Sequence, residues 1–116
     1  MRVGLISDIH ANSVALDAVM RDMPPVDRLV CAGDIVGYNP MPAESVSVVR
    51  ECADVIVQGN HDRAVESPSQ VRGNQMAFAG IQFARSRLSP EQQKWLADLP
   101  IRGELGDGDY LTVHSH

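Results

Sequence analysis

Three short polar clusters hold the residues able to do chemistry: Ser7-Asp8-Ile9-His10, Gly33-Asp34-Ile35-Val36-Gly37 and Gly59-Asn60-His61-Asp62. In an extended segment Asp8 and His10, two residues apart, point to the same side. They are the oxygen and nitrogen donors that Mn²⁺, Fe or Zn²⁺ accept. Asp34 adds a carboxylate whose two oxygens can bridge two cations. Asn60 offers an amide oxygen without further negative charge, and His114 near the chain's end can supply a nitrogen to a second ion. Each piece has a plainer reading. An Asp-x-His is also a helix cap beside a surface imidazole, and Gly-Asp-x-x-Gly is also a turn. Gly-Asn-His-Asp is rarer, expected in about one of a few thousand chains; its plain reading is a tight turn with Asp62 as a cap. Asp34 follows Asp8 by 26 residues and Asn60 follows Asp34 by 26, and that order and spacing favour a metal centre.

The spacing has a source in the elements between the clusters. Val3 to Ile6, Leu29 to Ala32 and Val55 to Val57 are apolar runs without polar alternation, as in parallel strands covered on both faces. Leu16, Val19, Met20 and Met23 form a helical stripe, with Asn12 or Ser13 as its cap and Pro24-Pro25 as its stop. Ala43 to Cys52 reads as a second helix, with Val46, Val49 and Ala53 on one face. Each 26-residue interval is then one right-handed strand-helix-strand crossover, and each delivers a polar cluster to the same rim of a parallel sheet. Further on, Ser67 to Gln70 and Arg72 to Asn74 read as loop, and Met76, Ala79, Gly80 and Phe83 mark a third helix. Ser89-Pro90-Glu91-Gln92 opens a fourth that runs to Leu99. Ile101 to Leu105 and Tyr110 to His114 read as a β-hairpin.

The 116 residues fit one domain, 1–116, and 44% apolar with 22% charged residues exclude a disordered chain. No run reaches the ~18 apolar residues of a membrane span, and no signal peptide precedes Val3. The net charge of −5, with nine arginines and one lysine scattered along the chain, offers no basic track for nucleic acid. Cys31 and Cys52 lack metal-site spacing and read as two buried thiols of a reducing, cytoplasmic compartment.

The segments Ser7-Asp8-Ile9-His10-Ala11-Asn12, Gly33-Asp34-Ile35-Val36-Gly37-Tyr38 and Gly59-Asn60-His61-Asp62 resemble the calcineurin-like metallophosphoesterases, and within them a subgroup of small prokaryotic predicted phosphodiesterases. The likeness continues through Leu88 and Trp95-Leu96-Ala97-Asp98-Leu99-Pro100 to Leu111-Thr112-Val113-His114. It implies an α/β fold of the αββα type, a β-sandwich flanked by helices with a metal pair at its rim. It also implies two divalent ions, with Mn²⁺ favoured over Fe, Zn²⁺ or Ni²⁺. Asp8 and His10 would hold the first ion, Asp34 would bridge, and Asn60 and His114 would hold the second. His61 would face the substrate as the catalytic group. Hydrolysis of a phosphodiester or small phosphorylated molecule would proceed by in-line attack of a hydroxide shared by both ions.

Two departures from the family pattern qualify this. The family closes its site with Gly-His-x-His, and no such segment follows His114. His114 either is the family's middle histidine ligand or forms a relocated final pair with His116. On the first reading the domain is an N-terminal part lacking its last strands, and an incomplete shell would hold both ions more weakly. Gly37-Tyr38 stand where protein Ser/Thr phosphatases of the superfamily carry Asp-Arg, which favours diesters or small molecules over phosphoproteins. Outside the motifs, Arg63 reads as solvated or as a phosphate contact, and Tyr38 as lining a substrate pocket or packing beside Asn39-Pro40. Trp95 reads as core. A non-catalytic scaffold and a nuclease are the alternative functions.

Overall fold

β-Branched and aliphatic residues nucleate three short strands, β1 (Val3–Ile6), β2 (Arg28–Cys31) and β3 (Val55–Ile56), paired in parallel in the order β1-β2-β3. The computed structural model describes residues 1–106 and 108–115. Helices α1 (Ser13–Asp22) and α2 (Pro42–Cys52) make the two crossovers and pack against each other. The Asn12 side chain caps α1 by accepting from Ala15 N, and the chain turns extended at Met23, ahead of Pro24. Leu16 is buried, with Met20 and Met23 packed against the core, but Val19 points outward.

Of the three strands only β2 is largely covered on both faces; β1 is an edge strand whose Leu5 is 66% exposed, and both β3 residues are half-buried. The expectation of full coverage therefore holds for the central strand alone. Three residues after β3 comes a five-residue helix, α3 (Asn60–Ala64), too short to show a hydrophobic period. Pro68–Val71, expected as loop, closes one 3₁₀ turn with proline at its start.

Two longer helices follow, α4 (Gln75–Arg87) and α5 (Pro90–Ala97). The capping box at Ser89 and Gln92 is present in both directions. α5 ends two residues before the expected Leu99, because Asp98 takes the cap position and Leu99 N bonds only to Leu96 O. In α4 the buried residues are Ala77, Ile81 and Ala84, while Met76, Ala79, Gly80 and Phe83 form a different face. Strands β4 (Arg102–Leu105) and β5 (Tyr110–Val113) form the expected antiparallel hairpin. Trp95 packs on the core and under the Arg50 guanidinium.

Cys31 is a buried free thiol that burial pushes up to about 11, so it is inert at neutral pH; Cys52 is exposed at the end of α2 rather than buried as expected. No helix among the described residues is long and apolar enough to cross a membrane.

Candidate metal centre

The turns that leave β1 and β2 and the start of α3 meet at the carboxyl rim of the parallel sheet. Asp8 and His10 are not extended, as expected, but left-handed, with φ of 57° and 48°, as are Ala11 and Asp34 at 57° and 56°. Such backbone is held only where the surroundings over-determine it. Asp8 N donates to Gly33 O at 3.0 Å, His10 N to Asp34 O at 3.0 Å and Ala11 N to Ile35 O at 2.8 Å, lacing the first turn to the second. Convergence of Asp8 and His10 comes from this turn.

Asp34 is the hub. Its Oδ1 accepts from His61 N at 3.0 Å. Its Oδ2 lies 3.6 Å from His10 Nε2 and 3.4 Å from His114 Nε2. Asp8 Oδ1 is 3.6 Å from the same His10 nitrogen. One terminal atom of the Asn60 amide lies 3.2 Å from His114 Nε2 and 3.2 Å from Asp34 Oδ2. The structure thus brings Asp8, His10, Asp34, Asn60, His61 and His114 together. Two overlapping triads have ligand atoms within 4.8 Å of one another, His10-Asp34-His61 and Asp8-Asp34-His114. Both pass through Asp34, and His61 falls inside one of them. His116 lies outside the described residues, so the relocated His114-His116 pair does too.

The donor set fits a cation. His10 Nδ1 donates to Val36 O at 3.0 Å, and His114 Nδ1 donates to Ala32 O at 2.7 Å. With its Nδ1 hydrogen on a backbone carbonyl, each imidazole turns Nε2 toward the Asp34 carboxylate, the orientation in which that nitrogen and the carboxylate would share a positive ion. Without an ion the Asn60 amide is best matched with NH2 turned inward; an ion would favour its oxygen there.

Residues outside the donor set hold it in place, and the sequence marks them weakly. Asp62 is wholly buried; it accepts from Gly59 N and Asp34 N at 2.9 Å, Ile35 N at 2.8 Å and Val36 N at 3.3 Å. The cap expected of it therefore also clamps the Asp34 turn. Burial pushes its carboxyl up to about 6, opposed by the Gly59 N–H bond. A Cβ on Gly37 would stand 2.8 Å from His61 Nδ1, so glycine there admits the imidazole. Burial lowers the His61 pKa, against a raising pull from Asp34. The Tyr38 ring stands 5.0 Å from His10 and 4.9 Å from His61, centroid to centroid. Arg63 lines a cleft of about 590 Å³ that opens onto Asn60 and His114.

The family model for calcineurin-like phosphoesterases matches residues 1–116. An uncharacterized protein of Methanocaldococcus jannaschii is 34% identical over 117 residues, 98% of this chain and 48% of its own. The solved metallophosphoesterase of Sphaerobacter thermophilus is 42% identical with a TM-score of 0.77, over 92% of this chain and 44% of that one. A solved protein provisionally assigned as a diadenosine tetraphosphatase shares the fold, with a TM-score of 0.70 at 20% identity, over 99% of this chain and 50% of that one. The chain spans about half the length of these relatives.

Proposed function

Because the chain belongs to the calcineurin-like phosphoesterase family, we propose that it carries the centre of a dinuclear metal-dependent phosphoesterase acting on phosphodiesters or small phosphorylated molecules. The observation that carries this reading is the meeting of His10 Nε2, His114 Nε2 and the Asn60 amide on one oxygen of Asp34. Asp8 and His10 hold one ion, Asn60 and His114 the other, and Asp34 lies between them. A carboxylate, imidazole and amide set suits Mn²⁺, with Fe, Zn²⁺ or Ni²⁺ as substitutes. Bound there, divalent cations lower the pKa of a shared water and neutralise phosphate oxygens for in-line hydrolysis.

The chain's own residues supply the rest. Val36 O and Ala32 O fix the tautomers of the two histidines. His61, buried beside the hub, is placed to hydrogen-bond a phosphate oxygen or, in its protonated form, to give a proton to the departing alkoxide. Gly37-Tyr38 offer no guanidinium for a terminal phosphate, which favours diesters over phosphoproteins. Two free thiols fit a reducing compartment, and we place the protein in the cytoplasm.

The test is turnover of bis(4-nitrophenyl) phosphate and 4-nitrophenyl phosphate by purified protein with Mn²⁺. The expected result is hydrolysis, faster for the diester, with two ions bound per chain. His61→Gln should keep the ions and lower kcat by roughly 10²–10⁴-fold. Folded protein that binds two ions yet cleaves neither ester refutes the catalytic reading and leaves a scaffold.

A further inference from the structure

A shallow apolar groove of about 330 Å³ runs from Tyr38 and Pro40 across Met76, Ala79 and Phe83 of α4. We propose that this groove binds the alcohol that leaves during hydrolysis and selects a planar, apolar group there. The proposal rests on the phosphoesterase reading above and adds a substrate class to it.

α4 is apolar on two sides. Ala77, Ile81 and Ala84 meet the core, which leaves Met76 and Ala79 exposed and Phe83 half-buried beside the Arg87 guanidinium. Met76 is 75% exposed and Tyr38 is 44% exposed. An apolar groove bordered by polar residues is the kind of surface that ligand-binding grooves present.

The groove is continuous with the metal centre through a single residue. Tyr38 forms one end of it, and its ring lies edge-on to both His10 and His61. An alcohol that leaves past His61 therefore carries its carbon substituent against Tyr38 first and along α4 next. Tyr38 is held for this position at a φ of 63°, in the left-handed region that bulky residues avoid. Gly80 allows it: a Cβ there would stand 2.5 Å from Tyr38 N.

The opposite flank has different chemistry. The cleft at Asn60 and His114 is walled by Gln58, Arg63 and Gln70. A diester whose retained phosphate side faces this polar wall presents its departing arm to Tyr38. The substrate class is thus a phosphodiester with an aromatic or otherwise flat alcohol.

Two measurements test this on the intact chain. With Mn²⁺, ethyl 2-naphthyl phosphate and ethyl phenyl phosphate share the retained arm and have leaving groups of similar acidity. The naphthyl ester should have a kcat/KM roughly tenfold higher, from the added apolar burial, and Met76→Gln should shrink that ratio towards one. In metal-free protein labelled with ¹³C at the methionine methyls, 2-naphthyl phosphate should shift the Met76 methyl by ring current and leave Met20 and Met23 unmoved. Equal rates for the two esters overturn the proposal. So does a Met76 methyl that stays still under the naphthyl probe, or moves only with protein concentration as a second copy would make it. Cleavage of neither ester, with Met76 shifted, fails the phosphoesterase reading and keeps the groove as a planar-ligand site.

Discussion

Left-handed backbone costs an L-residue roughly 1–2 kcal/mol, yet Asp8, His10, Ala11, Asp34 and Tyr38 all adopt it, and all five lie at the candidate metal centre. Asp62 answers for part of that cost. Its carboxylate takes four backbone N–H groups, three of them from the strained turn after β2. Asp62→Ala leaves four buried donors without a partner, at about 1–3 kcal/mol each. Partial relaxation and water entry reduce the total, so a loss of about 3–5 kcal/mol is expected in urea unfolding; a loss below 1 kcal/mol would mean the turn holds itself. The types and order of the candidate donors are legible in the sequence, because metal ligation draws on carboxylate, imidazole and amide atoms. The turn is not: Asp8-Ile9-His10 reads as extended, since nothing in three residues announces that the distant carbonyls of Gly33 and Asp34 will fold them left-handed. Asp62 is legible only as a cap, because its other three donors arrive through tertiary structure.

Among the elements, α4 shows best how tertiary contact overrides local preference. Glycine inside a helix costs roughly 1 kcal/mol relative to alanine, so Gly80→Ala should stabilise α4 in isolation. In the folded chain that methyl would meet the Tyr38 backbone at 2.5 and 3.0 Å, and backbone cannot swing aside as a side chain can. Gly80→Ala is therefore expected to lower Tm by several degrees, read by circular dichroism, and a raised Tm would show that the Tyr38 turn yields. Helices with strong end signals, α1 at Asn12 and α5 at Ser89-Pro90, are readable from sequence because capping is local chemistry. The position of α4 is readable too, from Met76, Ala79, Gly80 and Phe83. Its core face is not, because apolar residues occupy two sides and periodicity alone cannot say which one the rest of the chain covers. The two short pieces, α3 and the 3₁₀ turn at Pro68, escape for want of length.

For the whole molecule, the consequence of the site is that distant parts of the chain share one charge centre. Asp8 follows β1, Asp34 follows β2, Asn60 opens α3 and His114 follows β5. Residues far apart in sequence thus meet at one candidate centre, and an ion bound there only by the folded state would stabilise all of it. At a free concentration of about one hundred times Kd that linkage is worth about 2.7 kcal/mol, which for a domain near this size raises Tm by roughly 10 °C. Thermal unfolding should therefore rise by that order with saturating Mn²⁺ and return to its starting value with EDTA. Asp34→Asn tests the hub without removing its fold contact: an amide oxygen can still accept from His61 N, as the carboxylate does at 3.0 Å. The variant is expected to keep the metal-free Tm within a few degrees while losing most of the Mn²⁺-dependent rise. A rise that survives Asp34→Asn would place the ion away from the carboxylate rim of the sheet. The same rise lost in His114→Ala and in Asp8→Ala would show that contributions from opposite ends of the chain are coupled through that one carboxylate.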